Sequence, residues 1–323
     1  MQRQMKAVLI DRYGPPSSMR MARVPVEDPK QHEVRVKLHA VSLNASDCEF
    51  LTGSPLYIRM WGLFKPKYKI LGSDIAGVVD ALGDKVSGLK IGSRVCGDIL
   101  GIFGGLAEYV CVPENTLNLI PENLSFQEAS SLPQAAVVAL QGLQKTNALA
   151  KDKHILINGA GGGAGSFAIQ WAKMYGCEVT GVDIGFKFES MRNNGADHLI
   201  DYTQVDFTKE DTRYDAILDF VSTRSIFSYS KVLKPGGTYV IVGGGLKRIL
   251  QTITLGSILS VMGSKKYQLL AAKPNKDLPY ILELVSKGSL VPKIEKTFSL
   301  EDTPKAMSHI CQGKAQGKII ITI

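Results

Sequence analysis

The run Gly159-Ala160-Gly161-Gly162-Gly163-Ala164-Gly165 puts five glycines into seven residues. Glycine loses more conformational freedom on folding than any other residue, so a run this dense implies an object that must lie against bare backbone. An apolar strand precedes it, His154–Asn158, and a helix follows, Ser166–Tyr175. Strand, glycine turn and helix in that order form the entry that seats a dinucleotide. The chemistry is electrostatic: the turn is tight, the next peptide approaches a pyrophosphate, and free N–H groups at the helix start face its charge. Two registers satisfy the spacing, Gly159, Gly161 and Ala164 as GxGxxA, and Ala160, Gly162 and Gly165 as AxGxxG.

Asp183 closes the next strand, Glu178–Asp183. A carboxylate there accepts hydrogen bonds from the adenosine ribose and repels a 2′-phosphate, which points to NADH. Lys187, four residues on, would attract that phosphate instead.

These residues need a scaffold, and the pattern around them supplies one. After Glu178–Asp183 come a helical stretch, Glu189–Asn194, and short strands at His198–Ile200 and Tyr214–Asp219. Arg224–Leu233 reads as helix, Pro235-Gly236-Gly237 as a turn and Thr238–Val242 as strand. This is the alternation of a doubly wound parallel sheet, an α/β fold. Upstream, Ala7–Asp11, Val34–Ser42, Ala76–Ala81 and Ala107–Val112 are short β-rich runs punctuated by turn residues, as in an irregular barrel. Phe126–Leu143 is helical in composition and broken by Pro133. Leu278–Lys287 reads as a helix, and Lys318–Ile323 as a last strand that pairs into the β-rich domain or the sheet. The expected organisation is a β-rich domain from residues 1–125 with 268–323, and a dinucleotide-binding domain over 126–267.

The 323 residues, 45% hydrophobic and 21% charged, suit a globular protein with filled cores. No apolar run approaches the roughly 18 residues of a membrane helix, and Met5–Ile10 reads as a strand where a leader would lie. The formal charge is +8, but no basic run or basic stripe with interleaved aromatics occurs. Nucleic acid and membrane are therefore not expected as partners, and an anionic small molecule is. Five cysteines, an odd number without a CxxC, argue for a reducing compartment, the cytoplasm, and against a disulfide framework. Cys48 reads as a buried inert thiol.

Several segments carry a likeness: Asn44–Phe50, Leu71–Gly83, Gly104–Pro113, Ser130–Leu143, Asn158–Lys173, Gly195–Tyr202 and the closing GKIIITI. In these segments and their order, the chain resembles the zinc-independent quinone oxidoreductase-like branch of the medium-chain dehydrogenase/reductase superfamily. The resemblance implies a GroES-like β-rich domain, a Rossmann domain, an active site in the cleft and a homodimer. Relatives that oxidise alcohols hold zinc through a cysteine where Asn44 stands and a His-Glu pair where Ser73-Asp74 stand. Amide and hydroxyl are poor substitutes for thiolate and imidazole on Zn²⁺, so no metal site is expected.

Without zinc, the resemblance implies hydride transfer from NADPH, with NADH also open, to a quinone or an α,β-unsaturated carbonyl. It assigns catalytic roles to Asn44 and Tyr57, while two positions commonly held by tyrosine read Glu49 and Pro55. Asp47 is read as organising its loop rather than moving protons. For the cofactor it assigns Asn44, the pyrophosphate seat Gly162, Gly163, Ala164 and Gly165, and the ribose end Asp183, Lys187 and Tyr202. Phe220, Val221, Val242 and Gly243 follow the fourth and fifth strands, and Lys318 is assigned to the cofactor's charged end. Two other functions share these motifs: alcohol oxidation within the superfamily, and dinucleotide binding in a structural or regulatory role.

Overall fold

The computed structural model describes residues 3–323. The chain forms two compact units, Met1–Val137 with Pro274–Ile323, and Val138–Lys273.

The first unit is β-rich. Its strands are β1 (Gln4–Leu9), β2 (Arg20–Pro25), β3 (Glu33–Leu43), β4 (Asp74–Leu82), β5 (Arg94–Asp98), β6 (Tyr109–Pro113) and β7 (Asn118–Leu119). The long strand β3 alternates buried Val34, Val36 and Leu38 with more exposed neighbours, as a half-buried strand must. It pairs antiparallel with β4 and with β6. The second unit supplies β8 (His154–Asn158), β9 (Glu178–Asp183), β10 (His198–Asp201), β11 (Tyr214–Asp219), β12 (Leu233–Ile241) and β13 (Lys266–Leu269). The chain then returns to the first unit for β14 (Ile294–Ser299) and β15 (Lys318–Thr322). As expected of GKIIITI, β15 enters the β-rich sheet, antiparallel to β3 and parallel to β14. The core beneath holds Val36, Leu38, Ile75, Phe103, Ile319 and Ile321.

In the second unit the six strands run in the order β10-β9-β8-β11-β12-β13, all parallel. Counted from β8 this is 3-2-1-4-5-6, the Rossmann order, with its switch point between β8 and β11. Strands buried on both faces are continuously apolar, and Ile155, Leu156 and Ile157 are fully buried.

Phe126–Leu143, read as helical and broken by Pro133, is two helices on either side of that proline, Phe126–Ser130 and Ala135–Thr146, and the first lies in the β-rich unit, with Phe126 stacked on His39 at 4.4 Å. Two local expectations are corrected. Pro235-Gly236-Gly237 is a bulge inside β12 rather than a turn before it: Leu233 pairs with Tyr214, and pairing resumes at Thr238 with Ala216. Cys48 is no free thiol. It is disulfide-bonded to Cys311 across a sequence separation of 263, because the helices Ala45–Thr52 and Thr303–Cys311 pack together. Cys96, Cys111 and Cys177 remain free.

Candidate functional site

The glycine run folds as a β8 exit followed by the helix Gly163–Met174. Gly159 sits at φ +85, a conformation that favours glycine. Gly162 is the helix N-cap with extended backbone, and Gly162, Gly163 and Ala164 stay partly exposed. Gly165 is buried: a Cβ there would stand 2.3 Å from the Gly159 carbonyl oxygen and 2.6 Å from Ala160 Cα. It lets the helix close on the turn; the Gly162 N–H donates to the Gly159 carbonyl at 3.3 Å, and the N–H groups of Gly163 and Ala164 open the helix. That division matches the register Ala160-x-Gly162-x-x-Gly165.

Asp183 and Lys187 are brought together, and they bind each other. Asp183 is 7% and Lys187 6% exposed, and the ammonium lies 3.4 Å from Asp183 Oδ1. The carboxylate also accepts N–H bonds from Gly161 (3.0 Å) and Ile184 (2.8 Å). The 3₁₀ turn Gly185–Lys187 folds the lysine back over the glycine run. A Cβ on Gly161 would meet Lys187 Cδ at 2.6 Å, so this glycine makes room for the lysine. Tyr202 is exposed just after β10, and its N–H donates to the Asp183 carbonyl at 3.3 Å. Phe220 donates its N–H to the Asn158 carbonyl, and Val221 donates to Asp219 Oδ1. Val242 and Gly243 follow β12 and are partly exposed; the Gly243 carbonyl accepts from Ser222 Oγ at 2.6 Å.

Sequence reasoning missed the brace beneath these ends. Asp219 Oδ1 accepts from Asn158 Nδ2 at 2.8 Å, and Oδ2 accepts from the Tyr239 hydroxyl at 2.9 Å, all buried. Its only signal is polar residues closing two apolar strands, and it becomes meaningful once Asp219 is known to pair with Asn158.

In the first unit Asn44 precedes the helix Ala45–Thr52 and is 8% exposed. Asp47 Oδ2 accepts the Asn44 N–H (2.8 Å) and Oδ1 accepts the Gly72 N–H (3.0 Å), an organising role as expected. The Asn44 amide is held on both sides. Its Nδ2 donates to Asp74 Oδ2 at 2.9 Å, and its Oδ1 accepts from the Lys318 ammonium at 2.5 Å. Lys318, only 2% exposed, is also 3.6 Å from Asp74 Oδ2. Burial raises the Asp74 pKa and lowers that of Lys318, while their mutual attraction opposes both shifts. Burial also pushes Asp47 and Asp98 up to about 7, each further raised by the Asp74 charge.

Zinc does not fit this donor set. An ammonium already stands between residues at two of the three ligand positions, and Ser73 Oγ and Asp74 Oδ1 meet no hydrogen-bond partner among the described residues. A hydroxyl, an amide and a carboxylate facing a lysine do not make a thiolate–imidazole site. A dinucleotide does fit the second unit: the partly exposed glycine-rich start of a 12-residue helix, with no side chain on Gly162 or Gly163, suits a diphosphate.

Tyr57 lies half-buried in the 3₁₀ turn Leu56–Trp61. Burial raises its pKa, and the nearby Glu49 adds to the shift. Glu49 is half-buried on the helix Ala45–Thr52, and burial alone pushes it up to about 7.

Residues 30–122 match the family described as "Alcohol dehydrogenase GroES-like domain", and residues 194–321 match "Zinc-binding dehydrogenase". The chain is 34% identical to "2-methylene-furan-3-one reductase" of Solanum lycopersicum over 98% of its own length and 79% of that protein's. It is 32% identical to "NAD(P)H oxidoreductase RTN4IP1, mitochondrial" of Bos taurus, over 99% of this chain and 89% of that one. The quinone oxidoreductase of Coxiella burnetii superposes with a TM-score of 0.88 at 28% identity, covering 99% of this chain and 100% of that one. Motifs, Rossmann strand order, GroES-like unit and relatives agree: this chain is an oxidoreductase of the medium-chain dehydrogenase/reductase superfamily, in its quinone oxidoreductase-like branch.

Proposed function

We propose that this protein is an NADPH-dependent reductase of quinones and α,β-unsaturated carbonyls that works without zinc. The observation that carries the zinc-free reading is the Lys318 ammonium between Asn44 and Asp74, where a metal would need its ligands. The names of the tomato, bovine and bacterial relatives support the substrate and cofactor classes.

When bound, the dihydronicotinamide supplies a hydride to the acceptor. Negative charge then grows on the acceptor's oxygen, where a quinone or enone delocalises it, so a modest hydrogen-bond donor suffices. Asn44, its amide fixed by Lys318 and Asp74, is the polar group of the reacting end. Tyr57, whose hydroxyl keeps its proton through burial and the Glu49 charge, is the donor to oxygen. Gly162, Gly163 and Ala164 seat the pyrophosphate, Gly163 and Ala164 through their N–H groups and Gly162 through its bare backbone. Phe220, Val221, Val242 and Gly243 line the cofactor, and Tyr202 flanks its adenosine. Lys318 acts through Asn44 rather than by touching the cofactor. NADPH is preferred because Lys187 would pair with a 2′-phosphate on exchanging its Asp183 partner for it; NADH remains usable because Asp183 would accept from a free ribose. The homodimer belongs to this reading on the resemblance; the expectation of a cytoplasmic location rests on cysteines without a disulfide framework, and the Cys48–Cys311 bridge removes that support.

The test is a matrix assay of chelator-treated protein, with NADPH and NADH against ortho- and para-quinones and short and medium enones. Turnover with NADPH that survives chelation is expected. Activity that vanishes on chelation and returns with Zn²⁺ overturns the zinc-free reading. Turnover of no quinone or enone overturns the reductase. In the same assay Asp183→Ser shifts kcat/KM toward NADPH, and an unchanged ratio refutes the placement of Asp183.

A further inference from the structure

The first residues of three adjacent parallel strands are His154 of β8, Glu178 of β9 and His198 of β10. Register puts them on one face. His154 pairs with Glu178, Thr180 lies two residues beyond Glu178 on the same face, and His198 pairs with Thr180. One ligating atom from each of His154, Glu178 and His198 lies within 4.8 Å of the others. This cluster is at the opposite end of β8 from the glycine turn and takes no part in the proposed chemistry.

The three side chains differ in freedom, as a capturing site requires. His154 is fixed: its side chain is 13% exposed, its ring stacks edge-on against Tyr214 at 4.7 Å, and its Nε2 lies 2.8 Å from Thr180 Oγ1. With the proton on Nε2 donated to that buried hydroxyl, the Nδ1 lone pair faces Glu178 Oε2, 3.8 Å away. An oxygen on the far ring nitrogen that fixes the tautomer in this way is what metal-binding histidines use. Glu178 and His198 are exposed, at 49% and 54%, and joined by a 2.6 Å hydrogen bond. Ligands on a tetrahedral Zn²⁺ stand roughly 3.4 Å apart, given Zn–N and Zn–O distances of about 2.0–2.1 Å. Small rotations of the two exposed side chains reach that spacing around the fixed imidazole. The neighbouring basic side chains are paired elsewhere: Lys153 and Lys234 to Asp215, at 3.2 and 2.7 Å, and Lys173 to Asp197 at 2.7 Å.

We propose that His154, Glu178 and His198 form a binding site for a divalent transition-metal cation, Zn²⁺ foremost, at the amino-terminal edge of the Rossmann sheet. Two imidazoles and one carboxylate favour such a cation over Mg²⁺ or Ca²⁺, which take oxygen ligands.

The experiment is calorimetric titration of Zn²⁺ into the chelator-treated full chain and into His198→Ala, Glu178→Gln and Thr180→Val. One-site uptake by the unmodified protein is expected, with no uptake of Mg²⁺. Affinity falls at least about tenfold in each of the two exposed ligand variants and by a similar factor in Thr180→Val, through the loosened imidazole. Zn²⁺ also raises the melting temperature of the unmodified protein, by mass action, but not that of His198→Ala. The proposal is overturned if the unmodified protein takes up no Zn²⁺, or if either His198→Ala or Glu178→Gln binds it as tightly as the unmodified protein does.

Discussion

Glu49 occupies a position where relatives commonly carry tyrosine, and its surroundings have tuned it. Burial alone lifts its carboxyl to about 7, with no charged partner offsetting the penalty. Near neutral pH it therefore holds its proton about half of the time, close to Tyr57. Enone reduction consumes one proton for each hydride, and a group with this pKa is matched to that task. Glu49→Gln is expected to lower kcat for enones by about 10²-fold or more. It should also remove the fall in rate above pH 7 that accompanies ionisation of the carboxyl. Quinones should be affected less, because the hydroquinone oxygens are protonated from water. pH–rate profiles with one enone and one quinone check this; an enone profile unchanged by the substitution would sink it. At this scale, single residues were legible and their pairings were not. Asp183 and Lys187 read as rivals for one ribose position. They are bonded to each other because a 3₁₀ turn, invisible as a spacing, folds the lysine over Gly161.

Elements were legible where periodicity and glycine spacing agree. β9 and β11 have the bounds their apolar runs predict, Glu178–Asp183 and Tyr214–Asp219. The Pro-Gly-Gly misreading has a physical cause: these residues mark a turn in most chains, but a parallel strand at a bulge tolerates a proline because no ladder bond is needed there. The turn between β8 and the helix Gly163–Met174 makes two kinds of glycine separable by experiment. At Gly165 an added methyl would meet only backbone, at 2.3 and 2.6 Å, which cannot give way without moving the helix. At Gly162 the nearest atom is 3.5 Å off, an ordinary contact, and the backbone is extended. Gly165→Ala should therefore lose roughly 1–3 kcal/mol of stability together with NADPH binding. Gly162→Ala should melt like the unmodified protein yet bind NADPH more weakly, because its methyl would crowd the proposed pyrophosphate seat. Melting curves and NADPH fluorescence titrations on both variants decide it; equal melting losses would refute the division.

At the scale of the molecule, the chain spends its two ends on one unit, and that closure was only half legible. GKIIITI announced a strand, but nothing in the spacing announced that Asn275 would hold the Asp98 backbone on both sides or that Cys311 would reach Cys48. The same unit buries Asp47, Asp74 and Asp98 with one lysine, Lys318, among them. That excess of carboxylates has a cost with a definite sign. Asp98 moves from an ordinary 3.8 to about 7 on folding, through burial and then the Asp74 charge. Between these values the folded state holds more protons than the unfolded state, so stability falls as pH rises from about 4 through 7 and levels off above. Asp215, held down to about 2, gives up its contribution only below that range and does not confuse the reading. Asp98→Asn keeps an oxygen for the Leu100 N–H, which now donates to Oδ1 at 2.8 Å, and removes the ionisation. The variant should melt with the unmodified protein near pH 4.5 and a few degrees above it at pH 8. Its slope is reduced rather than abolished, since Asp47 is raised in the same sense. Parallel melting curves across that range would mean that Asp98 stays ionised in the folded state, its burial offset by the Leu100 N–H and the Gln134 side chain.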